Sequence, residues 1–382
     1  MYSLVYRAAS TPGADEPWAP VRLAHRNLLH LQDEAGVALL YAGARGGQAQ
    51  GSLVPVEGRA GEDLLRSLEA FPRLMGYRDF WARPERVEAP PEAFDRPLIV
   101  LGAPRSGSTL LFELLSASPD LWTVGGESIP VVETVPALDP ERRGFQSHAL
   151  GEGDADGATR ARLLELWMAG LVDRDGAPYL HRPAPERPPR VRFLEKTPRN
   201  ALRVPFLRRI FPDARFVFLF RDPRENVSSI LEVWESSAEN SPFKHFDTLP
   251  GWSGKSWKLL LPPGWRALDG KPVADVAARQ WEAANQAILD GVEDLGPDRL
   301  CVLTYAELTG APEQALRRIC AFAGVALDER TVDAARRMAP SRYTLSPARP
   351  DKWKARAAEI EPRLPALLDT VRRFEAFAAG RR

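Results

Sequence analysis

Residues 97–109 read PLIVLGAPRSGST, and this stretch decides the fold. An apolar run, a glycine turn and a hydroxyl-rich helix start follow one another, the layout of a strand feeding a phosphate-cradling loop at a helix N-terminus. Gly102 and Gly107 occupy the two glycine positions of a Walker-type loop and Thr109 its Ser/Thr position, whereas Ser108 stands where such a loop carries lysine. That lysine reaches β- and γ-phosphates beside magnesium. Its replacement points to a phosphorylated ligand with no γ-phosphate to transfer, and to a different group transfer.

Working outward, apolar strands alternate with helical patterns from Pro97 onward. The alternation predicts an α/β fold, a P-loop NTPase-like parallel sheet flanked by helices. Strands are expected at Leu98–Leu101, Val191–Leu194, Phe216–Phe220 and Leu300–Thr304. The first helix starts near Ser108 and buries Leu110, Leu111, Leu114 and Leu115. A second starts at Pro223, where Asp222 and Glu225 predict a capping box and Val227, Ile230, Leu231 and Trp234 form an apolar stripe. Trp281, Ala284, Ile288 and Val292 carry the same period on a long helix, and Leu316, Ile319, Cys320 and Ala323 on the next.

Residues 1–92 have a different texture. β-like runs (YSLVYRA, GVALLYAG), a helical stretch near Glu62–Leu74 and the proline-punctuated RPERVEAPPEAFDRP predict a small N-terminal α+β subdomain and linker, leaving 93–382 as the main domain. Within the latter, 240–272 sets Phe243, Phe246, Trp252, Trp257 and Trp265 among prolines, glycines and lysines. Such a non-periodic aromatic segment is an acceptor lid, a subunit contact or plain packing, and the sequence leaves the three open. GEGDADG at Gly151–Gly157 lacks the remaining ligands of a calcium loop and is expected to be a solvated turn. RPAPERPPR at Arg182–Arg190 is expected to be a stiff loop feeding the next strand rather than a polyproline ligand.

The 382 residues balance 51 Lys+Arg against 51 Asp+Glu, so no overall field favours nucleic acid or an anionic membrane. Cys301 and Cys320 have no spacing for zinc or a disulfide framework and are expected to be reduced thiols in the core. MYSLVYRAAS lacks a basic start before a long apolar run, and no stretch reaches the roughly 18 apolar residues of a membrane span. A soluble, cytoplasmic chain is expected. Its Ala-, Arg- and Pro-heavy, Lys-poor wording suggests a bacterial source.

Three constellations carry chemistry. In the loop, backbone N–H groups and the helix dipole favour an anion; Arg105 adds a charged fork of donors, and Ser108 and Thr109 add hydroxyls. In RFVFLFRDPRENVSSIL a strand delivers Arg221 to its carboxyl end. At about 1.5 Å of rise per residue, Ser229 lies roughly 9 Å beyond Pro223, close enough to flank one phosphate with the arginine. Ligands of open α/β sheets bind at such carboxyl ends. In FLEKTPRN, Lys196 stands just past a strand with a helix expected after Pro198, placed either to neutralise charge on a leaving-group oxygen or as a solvated loop lysine.

In this order, the three resemble the sulfotransferase family that uses 3′-phosphoadenosine 5′-phosphosulfate (PAPS). GAPRSGSTLL is similar to that family's 5′-phosphosulfate loop and RDPRENVSS to its 3′-phosphate motif, over a resemblance running roughly from Pro97 to Trp353 that includes ARQWEAANQAIL, LTYAEL and LRRICAFAG. The resemblance implies that Arg105, Ser106, Gly107, Ser108 and Thr109 hold the 5′-phosphosulfate and that Arg221 with Ser229 holds the 3′-phosphate. Tyr305 matches the tyrosine of a Tyr-Glu-x-Leu element whose acid is shifted here to Glu307. SRYTLSPARPDKW is similar to a loop that closes on the nucleotide, with Ser341 and Lys352 as candidates. No metal is implied.

Sulfuryl transfer requires the acceptor to lose a proton as it attacks. Cytosolic aryl and steroid members of the family place a histidine two residues after the lysine, where this chain has Pro198. LSASPDLWTVGGESIP resembles instead the segment in which tyrosylprotein-type members carry a catalytic glutamate, which makes Glu127 the base, with His245 of the aromatic insert as the alternative. Two other functions compete: a P-loop kinase of a small metabolite, which Ser108 disfavours, and a nucleotide-binding module without catalysis. Carbohydrate, lipid, phenol and peptide acceptors all stay open, as does the oligomeric state.

Overall fold

The computed structural model describes residues 89–236, 243–346, 349 and 351–381, and of the first 88 residues only the backbone of six strands. Those strands, β1 (Tyr2–Leu4), β2 (Trp18–His25), β3 (Leu28–Asp33), β4 (Gly36–Arg45), β5 (Gln48–Val54) and β6 (Asp79–Trp81), pair in chain order into one sheet. All its pairings are antiparallel except β5 with β6. The helix expected near Glu62–Leu74 lies outside the described residues.

A second sheet is built from β7 (Leu98–Leu101), β8 (Leu121–Trp122), β9 (Arg192–Lys196), β10 (Arg215–Phe220) and β13 (Leu300–Thr304), ordered β8-β9-β7-β10-β13. Every pairing is parallel. Besides two short helical turns at Ile129–Glu133 and Ala357–Ile360, the helices among the described residues are α1 (Ser108–Leu115), α2 (Gly157–Gly170), α3 (Val204–Ile210), α4 (Pro223–Glu235), α5 (Val273–Val292), α6 (Tyr305–Gly310), α7 (Pro312–Ala323), α8 (Glu329–Arg337) and α9 (Leu364–Ala379).

Period-two alternation divides the strands' side chains between two cores. Leu98, Val100, Val217 and Leu219 face one side, where Leu111, Leu114 and Leu115 of α1 and Leu316, Ile319, Cys320 and Ala323 of α7 cover them. Ile99, Leu101, Phe216, Phe218 and Phe220 face the other, against Val227, Ile230 and Leu231 of α4, Trp281, Ala284, Ile288 and Val292 of α5 and Phe374 of α9. A strand buried on both faces needs apolar residues throughout, which is why RFVFLF reads as a continuous run. Leu110 and Trp234 are half-buried rather than buried, because each sits at the border of its stripe.

The strand order also locates a crevice. The chain leaves β7 toward β8, at one edge, and leaves β10 toward β13, at the other. The connections therefore diverge between β7 and β10, the switch point at which open parallel sheets receive ligands.

Local differences from expectation have physical causes. β9 is Arg192–Lys196 rather than Val191–Leu194, with Val191 in an isolated bridge to Phe94. After Pro198 the chain forms a 3-10 turn, Pro198–Leu202, before α3 begins. At α4, Asp222 caps by accepting from the Arg224 amide at 2.8 Å, but no capping box forms because Glu225 turns to Arg221. A capping box occurs instead at α6, where the shifted acid Glu307 and Thr304 bond each other's backbone. Gly151–Gly157 is a short 3-10 turn whose Asp154 pairs with Arg143, ending in Asp156 as the cap of α2. The Arg182–Arg190 stretch is folded on itself by Arg187, which donates to the carbonyls of Leu180 and Arg182.

Candidate active site

A cavity of about 690 Å³ opens at the carboxyl ends of β7 and β10. Its floor is the start of α1. The first amides of a helix have no partner one turn back, and Gly107, Ser108, Thr109 and Leu110 all line the cavity at that point. Gly107 caps α1 at φ +96°, and a Cβ there would meet the Tyr305 ring at 2.6 Å; both the backbone and the close ring demand glycine. At Gly102 a Cβ would meet the Leu219 carbonyl at 2.9 Å, so the loop lies directly against β10.

Arg105 and Arg221 share this cavity. The loop bends at Arg105 (φ +68°), and the Arg221 guanidinium donates to its carbonyl at 3.0 Å. Arg105 Nε donates to Ser229 Oγ at 3.3 Å, its Nη1 to the Tyr343 carbonyl at 2.9 Å, and its charge lies 4.9 Å from the Phe243 ring centre. Burial pulls its guanidinium down to about 10; Glu232 opposes the fall and Arg221 adds to it. Arg221 pairs with Glu225 at 3.2 Å and stacks over Tyr305 at 4.1 Å. Two guanidinium groups thus share one concave site, each with an acidic neighbour on α4.

One face of α4 forms a wall. Glu225, Ser228, Ser229 and Glu232 line the cavity at helical spacing, opposite the core stripe. Ser229 engages Arg105 rather than standing beside Arg221 alone. Ser228, which the sequence alone does not single out, also lines the cavity, and its buried hydroxyl has no hydrogen-bond partner; Ser106, buried in the loop, is likewise unpartnered. For Glu232, burial works against the charge, but hydrogen bonds from Lys352 (2.7 Å) and Ser346 prevail and hold its carboxyl below the usual range. Lys352 and Ser341 both reach the cavity, Ser341 Oγ lying 3.2 Å from Thr344 Oγ1.

At the β9 end, Lys196 is 2% exposed and donates to Thr109 Oγ1 at 3.0 Å and to Glu127 Oε1 at 2.5 Å. The Glu127 side chain is 13% exposed and lines the cavity beside Pro198. Strand β9, the loop before Ser128 and the first turn of α1 thus meet at one ion pair.

The remaining wall comes from the aromatic segment, which folds as β11 (Lys244–Phe246) paired with β12 (Trp257–Lys258). Trp257 and Trp265 are wholly buried in a cluster with Phe246, Leu249 and Leu261, so these tryptophans pack the protein. Phe243, His245, Leu259 and Leu260 line the cavity. Leu259 has φ +63°, an uncommon conformation for a branched side chain, and its amide is tied to the Phe243 carbonyl at 2.9 Å. Two residues on, buried His148 clamps Leu261, donating its amide to the Leu261 carbonyl at 2.9 Å and accepting the Leu261 amide on Nδ1 at 2.8 Å.

Among the described residues there is no cluster of His, Cys, Asp and Glu that could hold a metal ion, and no helix is long and apolar enough to cross a membrane.

Comparison with known proteins places the chain in a family. Residues 97–329 match the model described as "Sulfotransferase family". The protein-tyrosine sulfotransferase of Drosophila melanogaster is 24% identical over 235 residues, 60% of this chain and 38% of the relative. Protein-tyrosine sulfotransferase 1 of Homo sapiens is 29% identical over 164 residues, 42% of this chain and 40% of the relative. The chain thus spans about two fifths of the length of these curated relatives. The crystal structure of sulfotransferase STF9 from Mycobacterium avium is 20% identical, with 79% of this chain and 81% of that one covered, at a TM-score of 0.41. With a match that runs from β7 through the loop, the Glu127–Lys196 pair and α4 to the start of α8, more than half of its length, this chain belongs to the sulfotransferase family.

Proposed function

We propose that the protein transfers a sulfuryl group from PAPS to a hydroxyl or amine acceptor. The observation that carries this reading is that Arg105 and Arg221 lie on one cavity at the β7–β10 switch point, with the Glu127–Lys196 pair at its edge and no lysine in the loop. The amides and hydroxyls of 105–109 hold the 5′-phosphosulfate. Arg221 and Ser229, with Ser228, hold the 3′-phosphate. Tyr305 packs beside the nucleotide, and Ser341 and Lys352 close over it.

Chemistry then proceeds in line. Glu127 takes the acceptor's proton, the acceptor oxygen or nitrogen bonds to sulfur, and the bond from sulfur to the bridging phosphate oxygen breaks. Adenosine 3′,5′-bisphosphate leaves with the electron pair, and Lys196, buried against the first turn of α1, neutralises the charge arriving on that oxygen. No metal is required for this step, since arginine, lysine and helix dipole supply the positive charge. Phe243, His245, Leu259 and Leu260 form the acceptor side, within a segment 240–272 that we read as packing and lid together.

We assign residues 1–92 to a separate subdomain, whose strands form a sheet of their own, and 93–382 to the transferase domain. Buried free thiols at Cys301 and Cys320 and the Arg- and Ala-rich composition support a cytoplasmic, bacterial setting.

Calorimetry comparing adenosine 3′,5′-bisphosphate with Mg-ATP, followed by a PAPS-driven screen of alcohols, phenols, sugars and peptides with mass detection of the added sulfuryl group, tests the proposal. We expect the bisphosphate to bind at least tenfold tighter and a sulfated product to form. Equal or tighter binding of ATP, or donor binding without transfer to any acceptor, overturns it.

A further inference from the structure

Glu195 is a carboxylate with no part in the scheme above, and its surroundings are costly. It is 1% exposed in the interior, on the face of β9 opposite Lys196, and burial pushes its carboxyl up against the opposing pull of its hydrogen bonds. A buried carboxylate is tolerated only when its lone pairs are filled. They are filled here by Asn200 and by two residues, Ser128 and Thr197, that flank the two groups at the cavity edge. Oε1 accepts from Thr197 Oγ1 at 2.7 Å and from Asn200 Nδ2 at 3.0 Å. Oε2 accepts from Ser128 Oγ, which in turn accepts from Trp167 Nε1 at 2.9 Å. The ring closes through the Ser128 amide, which donates to Thr197 Oγ1 at 3.0 Å.

Ser128 follows Glu127 in the chain, and Thr197 follows Lys196. The loop that carries Glu127 has left the sheet after β8 and turned at Gly125 (φ +73°), so its backbone is not positioned by strand pairing. A functional carboxylate on a loop needs a rigid support to be held within a fraction of an ångström of its partner. We propose that the Glu195–Ser128–Thr197 ring is a positioning device that locks the Glu127 loop onto the end of β9 and so sets the Glu127–Lys196 geometry. Glu195 acts from the interior and touches neither substrate. This inference rests on the sulfuryl-transfer reading for its kinetic consequence, but not for its geometric one.

Thr197→Val tests it, because valine keeps the buried shape and removes both the donor to Glu195 and the acceptor for the Ser128 amide; Thr197→Ser keeps the hydroxyl. We expect T197V to lower kcat at least tenfold, with donor KM and bisphosphate affinity within twofold of wild type, and T197S to recover to within threefold of wild-type kcat. Crystal structures should show the 2.5 Å contact between Glu127 and Lys196 opened beyond hydrogen-bonding distance in T197V and kept in T197S. An unchanged contact in T197V overturns the inference, as does unchanged kcat, a parallel loss of bisphosphate affinity, or a T197S variant no better than T197V. A wild-type protein that transfers nothing counts against the functional reading alone, and the crystallographic comparison still decides the positioning role.

Discussion

The two sides of the cavity are built by opposite means. On the side of the loop, Pro104, Arg105, Gly107, Ser108 and Thr109 and one strand end at Arg221 supply backbone amides, hydroxyls and two guanidinium groups, most of them placed by local chain geometry. On the other side, Phe243, His245, Leu259 and Leu260 arrive by way of a short hairpin propped from behind by Trp257, Trp265 and the His148 clamp. The first side depends on spacing, the second on packing. Under the proposed assignment of donor to the loop side and acceptor to the hairpin side, that division is functional, because a phosphate site tolerates little change while an apolar wall can be rebuilt loop by loop.

The largest expected effect lies where the two sides meet. Glu127→Gln should lower kcat by about 10²–10⁴, the usual contribution of a general base, and leave the dissociation constant of adenosine 3′,5′-bisphosphate within about twofold. Steady-state kinetics with calorimetry checks this. Full activity in the variant would move the base to the packed side, with His245 the first residue to replace.

Arg221→Ala sharpens the loop side alone. Hydrogen bonds to a charged group contribute about 1.5–3 kcal/mol, so bisphosphate affinity should fall roughly 10- to 150-fold. Adenosine 5′-phosphosulfate, which lacks the 3′-phosphate, should bind the variant nearly as well as it binds the wild type. Equal losses for both ligands would mean that Arg221 acts by bracing the loop through its 3.0 Å bond to the Arg105 carbonyl.

The same contrast explains what was legible in the sequence. Strand β7, the loop and β13 are visible because a doubly buried strand is apolar at every position and a helix cap has its own residue code. Arg105 and Arg221 were expected in one cleft, and both line it. Strand β8 is two residues long, too short for any period to register. Glu225 carries a capping-box signature, yet a guanidinium at the strand end competes for it more strongly than a backbone amide, an outcome only tertiary contact can decide. Ser228 and Glu232 share a helix face with Ser229, a signal that was present in the i, i+3, i+4 spacing and reads only once the core stripe fixes the other face. Glu195 looks like any charged residue beside a lysine until its burial is known. In the hairpin the aromatic residues alternate between propping and lining, so composition alone leaves packing and lid undivided.

Phe243 tests whether the two sides are separable at all. It belongs to the packed side by sequence, but its ring lies 4.9 Å from the Arg105 guanidinium and meets Tyr343 edge-on at 5.7 Å. A cation–π contact contributes about 0.5–1 kcal/mol at an exposed site and about 2 kcal/mol when desolvated, as this buried pair is; leucine keeps the site apolar and removes only the ring, so Phe243→Leu should still have the smallest effect of the three. Acceptor KM should rise about two- to fivefold while bisphosphate affinity changes by less than twofold, because Arg105 retains Ser229 and the Tyr343 carbonyl as partners. If donor affinity falls as much as acceptor KM rises, the ring is part of the arginine's binding geometry. The packed side would then contribute to holding the nucleotide, and acceptor choice could not be altered in this hairpin without cost to the donor site.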